Sequence, residues 1–205
     1  MNRLMVLDAD ISEAVIRERK RLGHDRYDEV WDGVYVMPAM PTNFHQSLVH
    51  DLSVVFDVVV PKETGTIHPG ANVSDRNAGW KQNFRVPDIV VVLPDGRAID
   101  RGTHWQGGPD FLVEIASPGD DTEEKLPFFA HIGVREVLIV QRDSRELTLL
   151  RLKDGEFVEV EATLMDGRLW LCSEVLPLAF RRLMVRRRPR IVIRRTDGHA
   201  GEWTV

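Results

Sequence analysis

Apolar positions recur along this chain with two periods, one helical and one strand-like. Residues 11–22 (ISEAVIRERKRL) carry a thin apolar stripe through a highly charged segment, which predicts a short helix. Residues 27–37 (YDEVWDGVYVM) predict a hairpin, because Asp32-Gly33 tolerates positive φ at both turn positions. Pro38, Pro41 and Asn43 then break the chain. In residues 44–60, Phe44, Leu48, Leu52, Val55, Phe56 and Val59 fall on one helical face. This is the main helix, and Pro61 ends it.

The period then shortens to that of strands. Residues 65–74 are β-like, broken at Pro69-Gly70, and a polar loop follows from Asp75 to Arg85. Residues 88–93 (DIVVVL) read as a buried strand opening after Pro87. Residues 94–109, with four glycines and two prolines, read as a loop. Residues 110–116 (DFLVEIA) and 136–141 (EVLIVQ) are two more buried strands, separated by a helix over 120–131 that stops before Gly133. Thr122 is the expected N-cap, with Glu123 and Glu124 placed favourably against the helix dipole. Residues 146–161 predict a hairpin turning at Asp154-Gly155, and 168–180 an edge-type strand followed by an apolar segment. This order predicts an α/β fold, a mixed sheet with a helix on each face and added hairpins. It is not a regular doubly wound fold, since hairpins flank the central strands.

Composition narrows the class. The 205 residues, 43% hydrophobic and 29% charged, suit one globular domain with a core of its own. A single cysteine, Cys172, excludes a disulfide framework and a cysteine zinc site. The longest apolar run, Val54 to Val60, is broken by Asp57, and Met1 to Asp10 lacks the apolar run of a secretion signal, so the expected location is the cytoplasm, with no membrane. The net charge of −5 hides an asymmetry. Residues 1–180 carry 19 basic and 30 acidic side chains, whereas 181–205 carry eight arginines against Asp197 and Glu202. An acidic body repels polyanions, and a basic tail attracts them. Arg186, Arg187, Arg188, Arg190, Arg194 and Arg195 either steer DNA or serve as a solvated strand that pairs with the acidic body.

Two acids sit where packing does not want them. Asp88 opens one buried strand and Glu114 lies inside another. A carboxylate in a core strand is costly unless it is paired, protonated or bound to a cation. On neighbouring strands, at the same end of a sheet, the two would form a hard oxygen site suited to magnesium or manganese. Lys125, the only lysine between residues 82 and 152, stands in the first turns of the next helix, within reach of the sheet. On the residues alone, Asp88 reads equally as a strand-opening cap and Lys125 as a solvated helix residue.

As a set, RYDEVWDGVYVMPAMP (26–41), His45-Gln46, VPDIV (86–90), GPDFLVEIASPGDDTEEK (108–125) and FAHIGVREVLIVQRD (129–143) resemble the Uma2 family, described as "putative restriction endonucleases" of the PD-(D/E)XK superfamily. The resemblance runs from about residue 26 to residue 183. It implies a restriction-endonuclease-like fold and a metal-dependent endonuclease acting on DNA. Asp88 would be one metal ligand, Glu114 the second and the Ile115 carbonyl the third, with Mg²⁺ or Mn²⁺ as the ion. The motif lysine would stand at residue 116, where this chain has alanine. Lys125 would supply it from the helix. His45 and Glu29 are the expected substrate-side residues, Glu29 standing in for a family glutamate where the hairpin turn has Val34. Pro127, inside the predicted helix, would kink its axis.

The expected organisation is an N-terminal helical segment (1–25), a nuclease-like domain (26–183) and an Arg-rich extension (184–205). A homodimer would supply the two sites that cutting both strands needs. The alternative function is a non-catalytic binding or assembly module that keeps the fold, which the acidic body and Ala116 favour.

Overall fold

The computed structural model describes residues 9–38, 40–60, 63, 65–117 and 122–205. In chain order these form α1 (Ala9–Leu22), β1 (Glu29–Trp31), β2 (Val34–Val36), α2 (Asn43–Val59), β3 (Thr66–Pro69) and β4 (Val73–Ser74). A single 3-10 turn (Trp80–Gln82) leads into β5 (Phe84–Arg85), β6 (Ile89–Val92), β7 (Ile99–Asp100), β8 (Trp105–Gln106) and β9 (Phe111–Ala116). Then come α3 (Thr122–Ile132), β10 (Glu136–Gln141), β11 (Leu147–Lys153), β12 (Glu156–Glu159) and β13 (Thr163–Met165). The chain ends with β14 (Arg168–Cys172), β15 (Leu178–Val185), β16 (Arg188–Arg195) and β17 (Glu202–Thr204).

The central sheet has the order β12-β11-β10-β9-β6-β3. Only β9 and β10 run parallel in it, because the α3 crossover joins them. The alternation along β9 splits the core in two. Phe111, Val113 and Ile115 face α2, where they meet Leu48, Leu52, Val55 and Phe56. Leu112 and Ala116 face α3, where Phe128 and Phe129 cover them. The sheet therefore carries a helix on each face, as the hydrophobic pattern predicts. Packing on the α2 side is aromatic: Phe111 meets Phe56 edge-on at 5.9 Å and stacks on Phe180 at 6.2 Å.

A second sheet, β2-β1-β5-β4-β8-β7, is built of strands only two or three residues long. Three of them, β5, β7 and β8, lie within stretches whose pattern reads as loop. The pairings of β4 with β5 and of β4 with β8 hold these short strands, and no local run of apolar residues announces them. The third sheet, β13-β14-β15-β16-β17, packs on the α2 side through Leu178, Phe180, Ile191 and Ile193. Here β14 lies between β13 and β15, so it is an internal strand and not the edge strand its sequence suggests.

Three details differ from the sequence expectations. Phe44 is exposed although it shares the helical stripe, because it stands in the first turn of α2, ahead of the buried stretch that begins at Leu48. Thr122 is the first residue of α3 and not its cap. Two of the tail arginines are neutralised: Arg194 pairs with Asp166 and Glu202, and Arg195 with Asp197. The expected helix stop at Pro61, residues 120–121 of the expected helix and residues 1–8 lie outside the described residues. No helix among the described residues is long and apolar enough to cross a membrane.

Candidate active site

The site forms where the pairing of β6 with β9 gives out. Ile89 faces Val113 as the last pair of that antiparallel ladder. One step further the same register brings Asp88 opposite Glu114. Alternation then puts Glu114 on the α3 face with Leu112 and Ala116.

Asp88 is held from two sides. The Ile115 backbone N–H donates to its Oδ2 at 2.6 Å, and the Nε2 of His45 lies 2.8 Å from its Oδ1. His45 comes from the first turn of α2, where Thr42 caps the helix by accepting from the His45 backbone N–H at 3.3 Å. A strand residue sends its N–H and C=O to the same side, so the Ile115 carbonyl opens toward the Asp88 edge.

Glu114 is buried, and the ammonium of Lys125 reaches it from α3. Lys125 Nζ lies 3.3 and 3.2 Å from the two Glu114 oxygens and 3.1 Å from Glu29 Oε1. The helix runs through Pro127, so the proline does not draw Lys125 away from the sheet. Ala116 shares the Glu114 face and brings no long side chain to compete for that space. Glu29 is itself fixed: Val86 N–H donates to Oε1 at 2.8 Å and the Trp31 indole N–H to Oε2 at 2.6 Å.

Behind Glu29 lies a clamp that the sequence did not reveal. The Arg85 guanidinium stands 4.6 Å from the Trp31 ring and 4.2 Å from the Phe128 ring, and donates to the Val30 carbonyl at 3.0 Å. It thereby ties β1 to α3, the two elements that carry Glu29 and Lys125. The Glu29-Val30-Trp31 spacing puts the acid and the indole on one strand face, but it does not place Arg85 between the rings.

The electrostatics are dominated by negative charge. Burial pushes the Glu114 carboxyl well above its ordinary range; Lys125 opposes this, and the nearby Asp88 and Glu29 add to it. Three carboxylates thus surround one ammonium and one imidazole, and such a site favours a further cation. Among the described residues, no three His, Cys, Asp or Glu side chains converge as a ready-made ligand group. The oxygens on offer are those of Asp88 and Glu114 and the Ile115 carbonyl. An all-oxygen set fits a hard divalent ion. All five side chains picked out by sequence, Glu29, His45, Asp88, Glu114 and Lys125, come together here through these contacts.

No curated protein matches the chain. A solved structure does: an Anabaena variabilis protein described as "a putative nuclease belonging to DUF820", 16% identical, with a TM-score of 0.53 over 68% of this chain and 82% of that one. At that identity the likeness shows the fold, a restriction-endonuclease-like mixed sheet flanked by helices. A family model described as "Putative restriction endonuclease" matches residues 21–186, and the chain belongs to that family, Uma2.

Proposed function

We propose that this protein is a metal-dependent endonuclease that hydrolyses phosphodiester bonds in DNA. The family supports a nuclease, and one observation carries the finer reading. Lys125 reaches Glu114 from α3, β9 carries Ala116 where the family motif has a lysine, and Asp88 stands across the register from Glu114.

Asp88, Glu114 and the Ile115 carbonyl would hold magnesium or manganese. Such an ion, when bound, polarises a phosphoryl oxygen and lowers the pKa of a water. The chain's own groups do the rest. Lys125 presents a fixed ammonium where negative charge develops on the phosphoryl group. Glu29 keeps that ammonium beside the acids, and His45 keeps the Asp88 carboxylate turned toward the site. No covalent enzyme intermediate is required.

The test is a magnesium-dependent cleavage screen on varied DNA forms, with RNA alongside and Lys125→Ala as control. Cleavage by the parent and loss in the variant support the proposal. Metal binding with no cleavage of any nucleic acid would favour the non-catalytic module instead.

A further inference from the structure

The β15–β16 hairpin reaches beyond the core. Its base is buried through Leu178, Phe180, Ile191 and Ile193, but from Arg182 outward its residues are exposed or half-buried. Four residues of strand make an arm of roughly 13 Å. Direct pairing of Val185 with Arg188 and of Leu183 with Arg190 puts both arginines on one face, and with Arg186 they line a shallow concavity. Arg186, Arg187, Arg188 and Arg190 make no ion pair among the described residues, unlike Arg194 and Arg195.

The turn at the tip is unusual for this chain. Three other two-residue turns take positive φ at both positions, and each uses Asp-Gly: Asp32-Gly33, Asp154-Gly155 and Asp166-Gly167. The fourth takes φ of 49° and 64° with Arg186-Arg187. A Cβ in the left-handed region crowds the following carbonyl, and arginine has no side-chain hydrogen bond to its own turn that would compensate. Two guanidinium groups thus stand where backbone preference asks for Asn-Gly or Asp-Gly.

The arm connects to the site. Arg190 is close enough to Arg145 to help depress its guanidinium pKa, after burial, which is the larger cause. Arg145 is buried, lies 4.5 Å from the ring of the exposed Phe44, and has an Nε without a hydrogen-bond partner. It also donates to the Arg142 carbonyl, and Arg142 donates to Ser117 Oγ at 3.1 Å, one residue past the end of β9. Phe44 is the neighbour of His45, which holds Asp88. Asp143 and Asp51 offset Arg145, and Asp143 pairs with Arg142, so the uncompensated positive charge lies on the arm.

We propose that the exposed arm from Arg186 to Arg190 forms a grip for the phosphate backbone of duplex DNA. This rests on the nuclease reading for its substrate, but its test does not need cleavage. Phosphates, and not bases, are the matching chemistry, because guanidinium groups spaced along a ribbon read charge and position and carry no sequence code by themselves.

The test is binding of a mixed-sequence duplex of about 30 base pairs to the full chain in chelator, followed by anisotropy over a salt series. The variant is Arg186→Asn, Arg187→Gly, Arg188→Gln and Arg190→Gln together; Asn-Gly suits the turn, so the melting temperature should hold or rise. The log K against log salt slope should flatten by about 3–4, since each phosphate contact contributes about 0.9. Arg194→Gln with Arg195→Gln, which removes only ion-paired arginines, should leave the slope as in the parent. A slope unchanged in the fourfold variant, or lowered equally by the paired-arginine control, overturns the grip. Parent binding to phosphatidylserine vesicles but not to DNA overturns it in favour of a membrane surface. If no form cleaves DNA but the fourfold variant alone loses its slope, the grip stands and the nuclease reading falls. If the parent cleaves and the fourfold variant binds and cuts equally well, only the grip falls.

Discussion

Asp88 faces Glu114 across the β6–β9 register, one step past the last backbone pair, where Ile89 meets Val113. Two carboxylates therefore meet at the point where the sheet stops pairing, with a strand amide on one and an ammonium on the other. If they share a metal, Asp88→Asn or Glu114→Gln should lower single-turnover cleavage by at least about 10²-fold, the scale for losing one charge stabiliser. Circular dichroism should remain that of the parent. Full cleavage by either variant would remove both residues from the site.

The raised Glu114 carboxyl has a consequence for stability. Its ordinary value is 4.5, and the folded value lies well above that. Between the two, the folded state binds more protons than the unfolded chain, so this group makes stability fall as pH rises through that window. Glu114→Gln cannot titrate, and Lys125 keeps Glu29 as its partner at 3.1 Å. In metal-free buffer the melting temperature of Glu114→Gln, relative to the parent, should climb as pH rises above about 4.5, by a few degrees if about 1 kcal/mol is relieved. A pH-independent difference would mean that Glu114 titrates normally.

Glu29 should respond with the opposite sign. Both of its oxygens accept hydrogen bonds, one from the buried Val86 N–H and one from the half-buried Trp31 indole. An amide has one acceptor and would turn its NH₂ against one of these donors. Glu29→Gln should therefore cost about 1–3 kcal/mol, read by urea unfolding at neutral pH. If it stabilises the protein as Glu114→Gln does, Glu29 is one more surplus charge and not the anchor of Lys125.

Much of this arrangement was readable before the fold was known, for reasons that particular residues make plain. Asp32-Gly33 and Asp154-Gly155 turn where expected because positive φ leaves few other choices. The strands of Asp88 and Glu114 stood out because a buried run such as FLVEIA has few structural uses for an acid. The short strands β7 and β8 did not stand out, since Ile99 and Trp105 owe their strand conformation to partners elsewhere. Phe44 fitted a helical stripe, but a stripe cannot say where the sheet beneath the helix ends. The clamp by Arg85 was invisible because a cation between two rings has no period in sequence. The arginine-rich segment split into two roles that composition cannot separate, ion-paired at Arg194 and Arg195 and exposed at the tip.

The lysine that comes from the helix gives the most discriminating prediction. Residues 114 and 116 share a face, so a lysine at 116 would aim at the pocket that Glu114 lines. Lys125 already fills that pocket from α3, between Glu114 and Glu29. Lys125→Ala should lower cleavage by a barrier of about 3–4 kcal/mol, on the scale of other preorganised charge stabilisers. It should also destabilise the metal-free fold, because Glu29 and Glu114 then lack their ammonium. Ala116→Lys combined with Lys125→Ala should recover a measurable part of both losses, since the position of the charge matters more than the element that delivers it. Ala116→Lys alone should not help, because two ammonium groups would compete for one pocket and repel. Single-turnover cleavage at saturating magnesium, with melting temperatures in chelator, reads all four forms. If Lys125→Ala cuts as well as the parent, the ion pair with Glu114 is structural only. If the rescue restores stability but not cleavage, residue 116 reaches the carboxylates but not the phosphate, and the helix origin of the lysine is itself required.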